Sequence, residues 1–327
     1  MAPSVEIALA TYNGARHVEA QLDSYLTQTF DDWGLVVRDD GSSDDTVARI
    51  REHAGKHGYP LRFAANSGVR TGYPASFYDA LDATVAPYVF FSDQDDVWLP
   101  SKMERTLEAL RDLPEDRPAL VHTDLRVVDA ELRETNASYL RLRRLHPPRS
   151  TTLLGLLCWE YVTGCTIGLN AAARRAYRRP RIRAGHDAWM ALTCAALGQV
   201  RYLDEATILY RQHGQNVVGA HHVSTGVRFW RRSLSELAAT NRAPLARADA
   251  LLECYAGALP AESESRLRAF AELDRRGLQG LLSLYVQGAL PSDPVTRRRV
   301  LTGLTKMQIK HRAFALGSAL KGLVGAS

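Results

Sequence analysis

The chain has 327 residues, of which 46% are hydrophobic and 24% are charged, a composition typical of a globular protein. The net charge is +5, but residues 288–327 hold seven Lys or Arg against one Asp, so the rest of the chain is close to neutral. This distribution argues against a basic groove for nucleic acid.

Targeting and cysteine patterns predict a cytoplasmic protein. No apolar run approaches the roughly 18 residues that span a bilayer, and residues 1–6 lack the basic start of a secretory signal. The four cysteines form no CxxC pair and are expected to be buried free thiols in a reducing compartment: Cys158, Cys165, Cys194 and Cys254.

The first 130 residues predict alternating strands and helices. Strand-like runs lie at 5–9, 35–37, 61–63 and 88–91, and helical patterns begin near Val18, Val47, Ala75 and Pro100. Repeated β-α-β order favours parallel strands covered by helices, so the sequence predicts an α/β fold with a mainly parallel sheet. From about residue 224 onward, only helices are predicted.

Polar segments follow three of the predicted strands. The first contains Thr11, Tyr12 and Asn13, the second spans 39–46, and the third spans 93–96. In parallel sheets, ligands bind beyond the carboxyl ends of the strands, so we expect these segments to meet at one edge. Each alone is equally well explained as an acidic turn or a helix-capping loop, but together they favour a nucleotide pocket.

The third segment predicts a metal site. It places three carboxylates within four residues, and hard oxygen ligands of this kind favour Mn²⁺ or Mg²⁺ while leaving positions for substrate phosphates. In the nucleotide pocket, Tyr12 can stack on a base and Asp40 can accept a hydrogen bond from a pyrimidine N3–H.

Six ordered segments carry a resemblance to a known family. They are residues 10–14 (ATYNG), 28–46 (QTFDDWGLVVRDDGSSDDT), 90–100 (FFSDQDDVWLP), 162–170 (VTGCTIGLN), 186–192 (HDAWMAL) and 209–219 (LYRQHGQNVVG). Across about residues 4–220 the chain resembles family 2 glycosyltransferases of the GT-A fold, and within them the bacterial rhamnosyltransferase-like branch.

The resemblance implies a domain division and a set of roles. We expect a catalytic domain at 1–220, with a nucleotide-sugar half at about 1–130 and an acceptor half at about 131–220, followed by a helical extension at 221–327. Tyr12 and Asp40 match base-binding positions, with Thr11 and Asn13 as further donor contacts. Asp93 and Asp95 match the metal-binding DxD motif, Asp95 for direct coordination and Asp93 for ribose or water contact.

The resemblance also implies inversion at the anomeric carbon. Asp187 matches the general base that takes the proton of the acceptor hydroxyl, although its place before an apolar run is also typical of a helix N-cap. Arg211 is a candidate phosphate clamp. His213 is a candidate metal ligand or phosphate contact, with a polar core histidine as the alternative.

Three residues are expected near the acceptor. Gly164 lets a ligand approach the backbone closely, His186 precedes the predicted base, and Trp189 offers a sugar-stacking face, with the core as an equal alternative. The segment 66–77 departs from the family pattern because it is longer and holds Ser76, which puts donor contacts from this loop in question.

Donor and acceptor are less sharply indicated. The resemblance suggests dTDP-L-rhamnose, UDP-sugars remain open, and the acceptor is expected to be a carbohydrate or a lipid-linked glycan. The basic, amphipathic C-terminal tail predicts either a peripheral contact with anionic lipid or packing on the body or on a second subunit of a homodimer.

Two other functions compete with this prediction. A sugar nucleotidyltransferase should show a Gly-rich phosphate loop near the N-terminus, and residues 11–14 do not form one. A non-catalytic carbohydrate-binding protein could share the fold, because fold alone does not establish activity.

Overall fold

The computed structural model describes residues 3–65, 70–143, 145, 147, 151–213 and 234–272. The basic tail at 288–327 and the end of the sixth motif at 214–219 lie outside the described residues. Contacts divide the chain into two units. The first holds residues 1–151, 161–179 and 184–222, and the second holds 152–160, 180–183 and 223–327.

The N-terminal half of the first unit alternates strands and helices as predicted. In chain order these are β1 (Val5–Thr11), α1 (Val18–Leu26), β2 (Trp33–Asp39), α2 (Thr46–His57), β3 (Leu61–Phe63), α3 (Ala75–Asp82) and β4 (Tyr88–Ser92). Strand β1 pairs in parallel with β2 and β4, and β2 pairs in parallel with β3. The predicted parallel arrangement of these four strands is therefore confirmed.

The second half of the first unit makes the sheet mixed. It contains β5 (Val97–Trp98), α4 (Lys102–Arg111), β6 (Ala119–Val128), β7 (Glu134–Asn136), α5 (Tyr139–Leu142), a 3₁₀ turn (Gly164–Thr166), β8 (Gly168–Asn170), α7 (Ala171–Ala176), α8 (His186–Leu197) and β9 (Gln199–Arg211). The strand order is β3-β2-β1-β4-β8-β6-β9-β5, with β7 beside β6. Strand β8 runs antiparallel to both β4 and β6, whereas β6 and β9 are parallel.

The core forms where these strands are covered on both faces. Val89, Phe90 and Phe91 of β4 are fully buried, as an unbroken apolar strand predicts. Helix α2 buries Ile50 and Ala54, which lie four residues apart on one helix face, and it ends at Gly58 with a left-handed φ of 74°. This packing leaves the carboxyl ends of β1, β2 and β4 to carry polar loops.

The second unit is described by three helices, α6 (Leu153–Cys158), α9 (Leu234–Cys254) and α10 (Ala261–Ala271). Its buried side chains include Leu251, Tyr255, Leu267 and Phe270. Within this unit Arg247 forms an ion pair with Glu160. In the part of the chain that the structure describes, no helix combines the length and apolar character needed to cross a membrane.

Candidate functional site

The three predicted polar loops emerge at one edge of the sheet. Thr11 at the end of β1 lies beside Asp39 at the end of β2, and Leu9 of β1 lies beside Ser92 at the end of β4. Parallel strands in this register deliver their carboxyl ends together. The structure thus brings the Tyr12, Asp40 and Asp93 loops to a common edge, as the sequence pattern predicts.

Side chains bind the first loop to the third. The amide of Gln94 accepts a hydrogen bond from Tyr12 N (2.9 Å) and donates one to Tyr12 O (3.0 Å). A Cβ on Gly14 would lie 2.2 Å from Gln94 Oε1, so a glycine is required for this contact. Gln94 was not among the predicted site residues; its place inside the acidic motif was the available signal.

The first loop is also bound to the second. Asn13 N donates to Ser42 Oγ (2.9 Å), and Asn13 Oδ1 accepts from Ser43 N (2.8 Å). The hydroxyl of Thr11 donates to Asp39 Oδ1 (2.9 Å), and its side chain is buried. Thr11 and Asn13 therefore connect the first two loops, and the donor contacts expected of them stay a prediction.

Asp40 is contacted on both oxygens by the segment Arg70–Gly72. Thr71 N donates to Oδ1 (2.7 Å), Gly72 N donates to Oδ2 (2.8 Å), and only 3% of the residue is exposed. Burial acts to raise the pKa of Asp40, but these N–H groups, the Thr71 hydroxyl and Arg38 more than offset it, so the pKa lies below its ordinary value.

The same segment covers Tyr12, the other residue predicted to bind the base. The guanidinium of Arg70 lies 3.7 Å from the ring centroid of Tyr12, and its Nε lies 3.6 Å from Asp40 Oδ2. Arg70 was not predicted as a site residue. Both groups assigned to the nucleobase are thus engaged by residues 70–72, the part of the chain that departs from the family pattern.

The acidic loop holds carboxyl groups at short range. Asp96 is fully buried, its Oδ1 accepts from Arg211 N (3.2 Å), and its Oδ2 has no hydrogen-bond partner among the described residues. Donor atoms of Asp93, Asp96 and Cys165 lie within 4.8 Å of one another. Burial, with the charges of Asp95 and Asp93, raises the pKa of Asp96 well above its ordinary value.

Asp93 connects this loop to the predicted general base. Burial, followed by the charges of Asp95 and Asp187, raises the pKa of Asp93 to about 7. The geometry agrees, because the ring of Phe91, two residues before Asp93, lies 4.9 Å (centroid to centroid) from the ring of His186, the residue before Asp187. Carboxylates from two distant parts of the sequence therefore converge, which the hypothesis requires.

Two residues at or just after the end of β9 contact the acidic loop. His213 Nε2 lies 2.8 Å from Asp95 Oδ2, and the His213 ring stacks on His17 with centroids 4.9 Å apart. Arg211 is 5% exposed, and it donates from Nε to Asp95 O (2.9 Å) and from Nη1 to Ala130 O (2.7 Å). These bonds attach Arg211 to the acidic loop and to Ala130, and its role as a phosphate clamp stays a prediction.

Asp187 is the second residue of helix α8, and Gly185 occupies the N-cap position. Its Oδ1 accepts from Ala188 N (2.7 Å), and the side chain is half-buried. A Cβ on Gly185 would lie 2.4 Å from Asp187 Oδ1 and 3.1 Å from the Tyr73 hydroxyl. Glycine at 185 thus allows Asp187 and the Tyr73 segment to approach each other.

The three predicted acceptor contacts are internal, which corrects that prediction. Trp189 has no exposed surface, and its Nε1 donates to Arg178 O (2.7 Å). The buried His186 ring stacks on Phe77 (centroids 3.8 Å apart), and burial lowers its pKa to about 3. A Cβ on Gly164 would lie 2.4 Å from His186 Nε2, so Gly164 makes room for this ring and not for an acceptor.

Lys102 was not indicated by any sequence pattern. It is fully buried, with Nζ 4.6 Å from the Trp98 ring centroid, and burial lowers its pKa to about 8. The charges of Cys165 and Asp96 act in the opposite direction on this pKa, which places the amine near the acidic loop. Its cation opposes the repulsion among the carboxylates.

Comparison with known proteins identifies the family. Residues 6–179 match the model of glycosyl transferase family 2. The chain belongs to this family. Proteins similar to it include an uncharacterized glycosyltransferase of a Nostoc species, 27% identical over 226 residues that cover 65% of this chain and 66% of that protein. The dTDP-rhamnosyl transferase RfbG of Shigella flexneri is 30% identical over 105 residues, covering 31% of this chain and 36% of RfbG.

Solved structures show the same fold. Residues 1–349 of Staphylococcus aureus TarS, crystallised with UDP-GlcNAc, superpose with a TM-score of 0.56 at 15% identity, covering 97% of this chain and 92% of that one. The mixed sheet with flanking helices is the GT-A fold, so the predicted fold class is confirmed. The aligned part of the chain spans 66% of the Nostoc relative and less of RfbG.

Proposed function

We propose that this family 2 member is an inverting, metal-dependent glycosyltransferase that moves a sugar from a dTDP- or UDP-sugar to an acceptor hydroxyl in surface polysaccharide or glycoconjugate synthesis. The observation that carries the proposal is the approach of the Asp187 segment to the acidic loop: the His186 ring contacts Phe91, two residues before Asp93, and the charge of Asp187 contributes to the raised pKa of Asp93. An acidic centre of this kind suits a cation and a diphosphate.

The donor set fits Mn²⁺ or Mg²⁺. Asp93 and Asp95 would supply hard oxygen ligands, and donor atoms of Asp93 and the buried Asp96 lie within 4.8 Å of one another. Asp95 would hold the ion, with His213 Nε2 beside it as a further ligand or as the group that orients the carboxylate. When bound, such an ion neutralises charge that develops on the diphosphate leaving group.

Asp187 is suited to the role of general base. Its hydrogen bond from Ala188 N fixes the half-buried carboxylate at the start of α8, next to His186, whose ring contacts Phe91 of β4. In the proposed step the acceptor oxygen attacks the anomeric carbon opposite the diphosphate, its proton passes to Asp187, and the bond to the diphosphate oxygen breaks. General-base assistance supplies roughly 10²–10⁴-fold of the rate.

The nucleotide is assigned from the loop after β2. If residues 70–72 move off Asp40 and Tyr12, the Asp40 carboxylate would accept a hydrogen bond from N3–H of thymine or uracil equally well, and the Tyr12 ring would be open for stacking. The similarity to a dTDP-rhamnosyl transferase supports rhamnose as a donor sugar, and the UDP-GlcNAc complex of TarS supports UDP-sugars as the alternative. The acceptor is proposed to be a carbohydrate or a lipid-linked glycan, as the family resemblance suggests.

The proposal is tested by thermal-shift screening followed by a donor assay. A ligand that binds only the native state raises the unfolding midpoint by mass action, so dTDP or UDP with Mn²⁺ should raise it more than either component alone. Hydrolysis of dTDP-rhamnose or UDP-glucose that depends on Mn²⁺ or Mg²⁺ is then expected. Binding without hydrolysis or transfer would favour the non-catalytic alternative, and sugar-nucleotide synthesis from a sugar phosphate would favour a nucleotidyltransferase.

A further inference from the structure

A second cluster of ligand-type side chains lies between helices α1 and α2. Donor atoms of Asp23 on α1 and of His53 and His57 on α2 lie within 4.8 Å of one another. None of the three belongs to the acidic site or is used in the proposed mechanism. His53 is buried, whereas Asp23 and His57 are exposed and can reorient at little cost.

The spacing and the distances suit one ion. Residues four apart lie on the same helix face, and the His53 and His57 rings accordingly have centroids 4.5 Å apart. Asp23 Oδ1 lies 3.0 Å from His53 Nε2. Two ligands of a tetrahedral ion at about 2.0–2.1 Å are separated by roughly 3.4 Å, so a small outward movement of Asp23 admits an ion between them.

Tyr59 supplies the support that a metal-binding histidine usually has. The Tyr59 hydroxyl lies 3.0 Å from His53 Nδ1, and its ring packs against Trp33 with centroids 4.9 Å apart. At this distance the Tyr59 hydroxyl oxygen can accept Nδ1–H of His53. Ligating histidines commonly donate their other ring N–H in this way, which fixes the tautomer with Nε2 available to the ion.

We propose that Asp23, His53 and His57 form a binding site for a divalent transition ion of the zinc class, with water in the remaining position. Two imidazoles and one carboxylate favour Zn²⁺ over Mg²⁺ or Ca²⁺, which prefer oxygen ligands. This preference separates the site from the oxygen-rich acidic loop, so the two sites select different ions.

The bound ion links the two helices that follow the nucleotide loops. Helix α1 follows the Tyr12 loop, and α2 follows the loop that begins at Asp40. A bond from α1 to α2 through the ion holds these helices together and stabilises the native state, because binding energy available only to the folded site adds to its stability. The ordinary alternative is a His53–Asp23 ion pair beside a stacked histidine, with no affinity for metal.

The test is titration of the full chain with Zn²⁺ in the presence of excess Mg²⁺. Calorimetry measures the binding, and the midpoint of thermal unfolding measures the stabilisation. The histidine pair His17 and His213 near Asp95 is a second place where Zn²⁺ can bind, so variants must separate the two. His57→Ala and Asp23→Asn are the test variants, since both change exposed side chains. His213→Ala and the adjacent exposed Lys56→Ala are the controls.

We expect one Zn²⁺ equivalent to bind at this site in wild type, His213→Ala and Lys56→Ala. His57→Ala should lose this equivalent, and Asp23→Asn should bind it at least tenfold more weakly. The Zn²⁺-dependent rise in midpoint should disappear in His57→Ala. The proposal would be overturned if wild type and His57→Ala showed equal Zn²⁺ stoichiometry and equal midpoint shifts. It would also be overturned if the only Zn²⁺ equivalent bound by wild type were the one that His213→Ala removes.

Discussion

His213 Nε2 lies 2.8 Å from a carboxylate oxygen of Asp95, a residue 118 positions earlier in the chain. The contact joins the end of β9 to the loop after β4, so two segments cooperate in one candidate metal site. It also gives the two side chains separable roles: Asp95 as a ligand, and His213 as the group that orients it or completes the coordination.

Replacement of Asp95 should weaken metal-dependent turnover more than replacement of His213. Asp95→Ala should reduce donor hydrolysis with Mn²⁺ to background. His213→Ala should raise the Mn²⁺ concentration for half-activation by roughly 10–100-fold, the usual effect of removing a residue that orients a metal ligand. Steady-state kinetics across a Mn²⁺ series measures both. Asp112→Ala, an exposed carboxylate paired with Arg201, serves as the control, and near-normal activity of Asp95→Ala would remove the metal assignment.

Asp187→Asn tests the general base. The amide keeps the shape of the side chain but cannot take a proton, so transfer should fall by roughly 10²–10⁴-fold while the affinity for UDP or dTDP is unchanged. Calorimetry gives the affinity and a transfer assay gives kcat. Asp82→Asn, a similar change at the end of α3, should leave both values unaltered; substantial transfer by Asp187→Asn would place the base elsewhere.

Arg70→Ala tests how residues 70–72 affect the nucleotide pocket. Arg70 covers the Tyr12 ring, so a base that stacks there must displace a cation–π contact of about 0.5–1 kcal/mol. Removing the guanidinium should therefore tighten UDP or dTDP binding roughly two- to fivefold, measured by calorimetry. Arg51→Ala is the control: it removes a comparable contact, in which the guanidinium of Arg51 on α2 lies 4.3 Å from the ring centroid of Phe63. This variant should leave the affinity for UDP or dTDP unchanged. Weaker binding by Arg70→Ala would show instead that Arg70 contacts the donor.

The strands and helices of the N-terminal half could be predicted from the sequence because each is specified by a local residue pattern. The apolar run of β4 and the polar segment after Thr11 each specify structure within a few residues. The mixed half was not predicted in detail: β8 has three residues and pairs with strands distant in sequence, so no periodicity indicates it.

The candidate site shows the same division. Asp95 and Asp187 were predicted from motifs, whereas Lys102 and Gln94 depend on long-range contacts that residue type does not reveal. Trp189 was predicted at the acceptor as a sugar-stacking face, and His186 because it precedes the predicted base. The structure places both in the core, where burial stabilises the apolar indole of Trp189 and the His186 ring stacks on Phe77.

Glu6→Ala tests a buried carboxylate outside the site. Glu6 is 3% exposed, and its Oε2 accepts from Val85 N (2.5 Å) and Ala86 N (3.0 Å), while Oε1 pairs with Arg62. Alanine leaves these N–H groups without a partner, so the free energy of unfolding should fall by about 2–4 kcal/mol, measured by urea denaturation. Glu108→Ala breaks an exposed pair with Arg105 and should cost about 0–1 kcal/mol. Equal losses would contradict this difference.

His122 predicts a specific dependence of stability on pH. The ring is fully buried among Tyr161 and Tyr202, and burial lowers its pKa to about 3 from the ordinary value of 6.5. The unfolded chain therefore takes up a proton near pH 6.5 that the folded chain refuses. Because the unfolded state binds more protons in this window, the stability contributed by neutral His122 is present above pH 6.5 and is lost as the pH falls toward 3.

The expected slope from this one group approaches about 1.4 kcal/mol per pH unit between those limits. His122→Leu removes the proton uptake, so its free energy of unfolding should fall less steeply than that of wild type between pH 6 and pH 4, whatever its absolute stability. Urea denaturation at several pH values gives both slopes, and other titrating groups such as His186 cancel in the difference between them. Parallel curves would mean that His122 binds a proton as readily in the folded chain as in the unfolded one.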